Sequence, residues 1–160
     1  MIKVAIITIS DKGSKGLRQD KSGELLIKMI EEEGWIKSFY LIIPDEKEEI
    51  EQKLKEVADN NIADLILTTG GTGLAPRDVT PEATKNIIEK EVPGIPEKIR
   101  YATGENTPMA YLSRGVCGIR KFTLIINFPG STKAVKECFE AVKDLIPHGI
   151  NILKGEITEH

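Results

Sequence analysis

A run of apolar and β-branched residues ending in Leu67-Thr68-Thr69 passes straight into Gly70-Gly71-Thr72-Gly73, and Arg77-Asp78 follows shortly before Thr80-Pro81-Glu82. These residue types in this order suit an anion. Three glycines leave no Cβ in the way and permit positive φ, so backbone N–H groups can converge on a phosphate. A guanidinium just beyond them can pair with that phosphate, and a carboxylate can hold an accompanying Mg²⁺. A ligand-free strand-to-helix turn would use the same glycines, and Asp78 also reads as a turn residue. Two familiar phosphate loops do not fit: no lysine follows the glycines as a P-loop requires, and Pro76 stands where a dinucleotide fingerprint needs glycine or alanine. Thr80 is expected to cap the next helix, with Pro81 at its first position and Glu82 in its first turn.

Other candidates follow other strand-like runs. Asp45 comes directly after Pro44, so in a parallel sheet it would share an edge with Asp78, although Asp45 and Glu48 also match an N-cap with its partner three residues on. Asn127-Phe128-Pro129-Gly130-Ser131-Thr132-Lys133 repeats the pattern of strand, turn and helix. Ser131 can cap that helix, while Lys133 sits in its first turn, where the dipole disfavours a cation and a bound phosphate would offset the cost. Ser10-Asp11-Lys12-Gly13 ends the first run, and Asp20-Lys21-Ser22-Gly23 opens a helix that Ser22 could cap. Arg100, Arg114 and Arg120 could reach a phosphate or pair with surface carboxylates. Trp35 reads as packing. His148 has no Ser, Cys or Asp partner nearby in sequence, so a catalytic triad is not supported.

These residues need a frame. Runs at 2–9, 39–43, 63–69 and 122–128 read as buried parallel strands. Leu25, Leu26, Met29 and Ile30 share one helix face; Ile50, Leu54, Val57 and Ala58 share another, with Glu46, Glu48, Glu49, Glu51 and Glu56 in solvent. A last helix over 131–145 buries Ala134, Val135, Cys138, Phe139, Val142 and Leu145. Alternating strands and helices predict a mostly parallel sheet with helices on both faces, and ligands beyond the carboxyl ends of its strands. The stretch 92–118, broken by Pro93, Gly94, Pro96 and Pro108, is expected to form short helices or a small excursion.

The chain has 160 residues, enough for one domain spanning 1–160. Apolar residues are 40% and charged residues 29%, with a net charge of -3, which gives no support to bulk nucleic-acid binding. No segment reads as a membrane span or export signal, so the cytoplasm is the expected location. Cys117 and Cys138 stand alone and read as small core residues, and His148 and His160 lack metal-ligand spacing.

Taken together, Ile9-Ser10-Asp11-Lys12-Gly13, Asp20-Lys21-Ser22-Gly23, Pro44-Asp45, Thr69-Gly70-Gly71-Thr72-Gly73 with Arg77-Asp78-Val79-Thr80-Pro81, Pro93-Gly94-Ile95-Pro96-Glu97, Leu112-Ser113-Arg114 and Asn127-Phe128-Pro129-Gly130-Ser131 resemble the MogA/MoaB family over essentially the whole chain. The resemblance implies a doubly wound three-layer α/β sandwich, commonly trimeric. It also implies transfer of AMP from Mg-ATP to the phosphate of molybdopterin, with release of pyrophosphate and later molybdate insertion by a separate enzyme. Two aspartates that matter in the family match Asp45 and Asp78, which would hold Mg²⁺. The amides from Gly70 to Gly73 would cradle a phosphoryl group, and Ser10, Asp11, Ser22 and Ser131 would line the same crevice. Phe128 stands where many relatives have leucine, and Ser131-Thr132 replaces a more usual polar-proline pair. A non-catalytic molybdopterin-binding member and a trimeric scaffold module are the alternatives.

Overall fold

The computed structural model describes residues 1–157, so His160 lies outside the described residues. In chain order the elements are β1 (Lys3–Ile9), α1 (Asp11–Ser14), α2 (Lys21–Glu32), β2 (Ile36–Ile43), α3 (Lys47–Asp59), β3 (Leu65–Thr69), α4 (Thr80–Ile87), β4 (Lys90–Glu91), α5 (Gly94–Gly104), a 3-10 helix (Pro108–Leu112), β5 (Cys117–Arg120), β6 (Thr123–Phe128), α6 (Thr132–Val142) and α7 (Ile146–Leu153). One six-stranded sheet runs β2-β1-β3-β6-β5-β4. The first four strands in that order are parallel, and β5 and β4 continue antiparallel.

Alternate residues of the central strands feed two separate cores, as the period of two in a strand demands. Val4, Ile6, Leu65, Leu67, Leu124 and Ile126 pack with α2, α5, α6 and α7. Ala5, Ile7, Ile66 and Ile125 face the other way, onto Ile50, Leu54 and Val57 of α3 and Ala83 and Ile87 of α4. Burial on both faces is why β1, β3 and β6 read as unbroken apolar runs. The three layers match the expected doubly wound sandwich. Trp35 packs edge-on against Phe139, with ring centroids 5.6 Å apart and planes at 69°.

Four expectations are corrected. β2 starts at Ile36 and, as an edge strand, is mostly half-buried, with only Ile43 buried. The stretch 92–118 contains α5 and the 3-10 helix, but it also supplies β5, which pairs with the short strand β4. The last long helix breaks near Val142, and a second short helix follows, so Leu145 is 45% exposed. Ala134 is only half-buried. No described helix is long and apolar enough to cross a membrane.

Candidate active site

The parallel register sets the strand ends side by side. Ile9 lies opposite Ile43, Thr8 opposite Thr69, and Thr69 opposite Phe128. The residues that follow therefore leave the sheet along one edge. The chain passes from β1 to β2 on one side and later to β3 on the other, so β1 and β3 flank a topological switch point, where such sheets open a crevice. A cavity of about 850 Å³ lies there. Ser10, Asp45, Gly70, Gly71 and Asp78 line it, together with Ser22, Gly130 and Ser131. Asp11, Thr72, Gly73 and Arg77 do not.

Close contacts within the protein impose the glycine turn. Gly70 has φ +106°, and a Cβ there would sit 2.2 Å from Ile9 O; at Gly71, φ +70°, it would sit 2.3 Å from Thr80 Oγ1 and 3.1 Å from Asp45 Oδ1. Gly73 adopts no positive φ. Its missing Cβ instead leaves room for Asp78 Oδ2, 2.9 Å from where that atom would be. Thr80 does not cap α4: its hydroxyl donates to Gly70 O at 3.0 Å, locking the helix start to the loop. Asp78 Oδ2 accepts from Ala75 N at 3.0 Å. Arg114 secures the loop from behind, donating from Nε to Gly73 O and from Nη2 to Asp78 O, each at 2.8 Å, and pairing with Glu82, whose carboxyl it holds below the usual range.

Asp45 is held by Asp11 rather than by a cap. Asp11 N donates to Asp45 Oδ2 at 2.9 Å, and Asp45 N donates to Asp11 Oδ1 at 3.0 Å. α3 instead begins after Glu46 with no side-chain cap. Arg77 is spent nearby, donating from Nε to Asp11 Oδ2 at 2.7 Å and from Nη2 to Glu46 Oε1 at 2.8 Å. It braces the carboxylates instead of facing the crevice, a correction to its reading as the phosphate's cation. The Arg77 hydrogen bond and the Asp45 amide draw the Asp11 carboxyl down to about 2. Burial, and then the Asp11 and Asp78 charges, push Asp45 up. A cation between Asp45 and Asp78 would relieve that repulsion. No group of three His, Cys, Asp or Glu that could hold a metal gathers among the described residues. Two carboxylates completed by phosphate oxygens and water are the usual environment of Mg²⁺, so these residues fit it.

The far wall is the start of α2, where Asp20, not Ser22, is the cap. Asp20 Oδ1 accepts from Gly23 N at 3.0 Å, and Oδ2 accepts from Thr8 Oγ1 at 2.7 Å and from the Tyr40 hydroxyl. Burial first, then Asp20, raises the Tyr40 phenol well above its ordinary value. Ser22 Oγ donates to Gly130 O at 2.6 Å, tying this wall to the turn after β6. Ser131 caps α6 as expected, accepting from Ala134 N at 3.1 Å. Asp20, Lys21 and Thr132, quoted within the sequence motifs but given no site role there, also line the crevice, as does Arg18, which the sequence did not single out. An aspartate three residues before a glycine at a helix start was the available signal for Asp20 as the cap.

A second cavity, of about 380 Å³, adjoins the first. Ser131 lines both. Ile99, Met109, Leu112 and Cys138 give the second cavity apolar walls, and Thr103, Lys133 and Glu137 give it polar atoms. Arg100 and Arg120 face neither cavity: they donate to the carbonyls of Ser113 and Gly115, and to Asp59 and Ile87 O, respectively. Burial pushes both cysteine thiols up to about 12, which suits inert core residues.

Residues 5–148 match the family model described as a probable molybdopterin binding domain. The chain is 40% identical over 160 residues to the molybdopterin adenylyltransferase of Helicobacter pylori, covering 99% of this chain and 91% of that one. It is 44% identical over 158 residues to the molybdenum cofactor synthesis protein cinnamon of Drosophila melanogaster, covering 98% of this chain but 26% of that longer protein. Among solved structures, the molybdopterin biosynthesis enzyme MoaB of Thermus thermophilus superposes with a TM-score of 0.92 at 46% identity, over 97% of this chain and 98% of that one.

Proposed function

The chain belongs to the probable molybdopterin binding domain family, and from that premise we propose that it is a molybdopterin adenylyltransferase of molybdenum cofactor biosynthesis, transferring AMP from ATP to the molybdopterin phosphate with release of pyrophosphate. The observation that carries this reading is that Asp45, Asp78 and the Gly70-Gly71 turn face one crevice whose rim residue Ser131 also lines an apolar cavity. The crevice suits a nucleotide's phosphates. The neighbouring cavity suits a flat heterocycle with polar edges, and a phosphate attached to it would arrive at the start of α6.

A phosphate oxygen of molybdopterin attacks the α-phosphorus of ATP, so no strong base is needed. The protein's work is orientation and charge neutralisation. Asp45 and Asp78 would hold Mg²⁺, which when bound neutralises phosphate charge and orients the reacting oxygens. Asp11 and Arg77 brace Asp45, and Arg114 holds the loop that carries Asp78. Ser10, Gly70, Gly71, Ser22, Gly130 and Ser131 are the phosphate-facing positions. We assign Thr72 and Gly73 to loop structure.

Incubation with molybdopterin and Mg-ATP should yield the adenylylated pterin by mass, with stoichiometric pyrophosphate. Asp78→Asn should abolish that product while leaving the circular dichroism spectrum and Tm close to the parent's. Undiminished turnover in that variant would remove Asp78 from the mechanism. The same reading includes a cytoplasmic homotrimer supplying a separate molybdate-inserting enzyme; sedimentation at the monomer mass would discard the trimer.

A further inference from the structure

The crevice has a charge problem. Asp45, Asp78 and, on the far wall, Asp20 bring three carboxylates to the crevice, and a triphosphate stays negative even with one Mg²⁺ bound. Favourable entry of such an anion needs cations. Arg77 is taken by Asp11 and Glu46, Arg114 by Glu82 and two carbonyls, and Arg120 by Asp59. Arg18 and Lys21 are the lysine and arginine side chains that line the crevice. Both are exposed, and among the described residues neither makes an ion pair or a side-chain hydrogen bond.

Their placement is built. They stand on either side of the pinned segment at Asp20, whose carboxylate accepts from Gly23 N, Thr8 Oγ1 and the Tyr40 hydroxyl. A Cβ at Gly23 would meet Asp20 Oδ2 at 2.0 Å, so this anchor admits no other residue there without moving. Lys21 is the first residue of α2, where the helix dipole disfavours a cation. An anion bound beside it reverses that penalty.

We propose that Arg18 and Lys21 hold the β- and γ-phosphates of the nucleotide and so bind the departing pyrophosphate. This rests on the adenylyl-transfer reading. In that step a bond forms between a molybdopterin phosphate oxygen and the α-phosphorus. The bond from the α-phosphorus to its bridging oxygen breaks, and the electron pair leaves on pyrophosphate. Negative charge therefore grows on the leaving group, beside two cations, which favours the transition state over the ground state.

The test is titration calorimetry with inorganic pyrophosphate plus Mg²⁺, and separately with AMP, on the parent and the Arg18→Gln/Lys21→Gln double variant. Since both side chains are exposed and unpartnered, the variant should keep the parent's Tm. Pyrophosphate affinity should fall about tenfold or more, the scale of charge-assisted contacts, while AMP affinity changes by less than about twofold. A charge-conserving Arg18→Lys/Lys21→Arg variant should recover most of the loss. Unchanged pyrophosphate affinity, or equal weakening of AMP, overturns the assignment. If the parent binds pyrophosphate through these residues yet makes no adenylylated pterin, the reaction reading falls and the leaving-group role falls with it, while the pyrophosphate site at Arg18 and Lys21 stands.

Discussion

The backbone N–H groups of Asp11 and Asp45 each donate to the other's carboxylate, yet the two carboxyls are driven in opposite directions. Asp11, facing Arg77, has its carboxyl drawn down to about 2, so its contribution to stability is present above the ordinary carboxylate range and is lost as pH falls through that value. The raised carboxyl of Asp45 works the other way. The fold is favoured while Asp45 is protonated, and that advantage disappears as pH rises through its elevated pKa, so at neutral pH its charge is carried at a cost. Asp45→Asn keeps an oxygen for the Asp11 amide and removes the charge. It should raise Tm at pH 7, with the gain vanishing in acid below the carboxylate range, and it should cut adenylylation about a hundredfold or more. A Tm that falls equally at both pH values would show that the charge is not penalised in the folded protein.

The elements that fix the site do so through backbone contacts invisible to residue type. Gly70 brings β3 against Ile9 O, and its N–H extends the ladder to Phe128 O at 3.0 Å. Gly70→Ala should therefore destabilise the protein by about 3 kcal/mol, from positive-φ strain plus collision, read as a lowered urea midpoint. A loss within about 0.5 kcal/mol would show that the turn relaxes freely. The sequence disclosed β1, β3 and β6 because strands buried on both faces must be continuously apolar. It hid β4 and β5, which are two and four residues long and lie among glycines and prolines. Asp45, Asp78, Ser131 and the glycines were legible because each follows a strand. Arg77 and Arg114 were not, since their roles depend on a carboxylate 66 positions away for one and the Gly73 and Asp78 carbonyls for the other. The role of Asp20 was overlooked for the same reason: its Thr8 and Tyr40 partners come from β1 and β2.

At the scale of the molecule, the two cores lie between the layers and the chemistry lies beyond one edge of the sheet. Near the opposite edge, buried Asp64 is satisfied by Lys3 N at 2.9 Å and Lys154 Nζ at 2.8 Å, well away from the crevice. Stability and reaction should therefore respond to different substitutions. Leu54, fully buried on α3 in the second core, lies seven positions beyond Lys47, where α3 begins, about 10 Å along the helix axis at 1.5 Å per residue. Leu54→Ala leaves a cavity and should cost about 2–5 kcal/mol, while kcat and KM measured well below the lowered Tm stay within about twofold of the parent's. Asp78→Asn should do the reverse. Sites so separated, with no shared partner, should combine additively to within about 0.5 kcal/mol in stability. A Leu54→Ala protein with near-parental Tm but a raised KM for ATP would mean that α3 transmits packing changes to Asp45, and the separation of core from site would have to be abandoned.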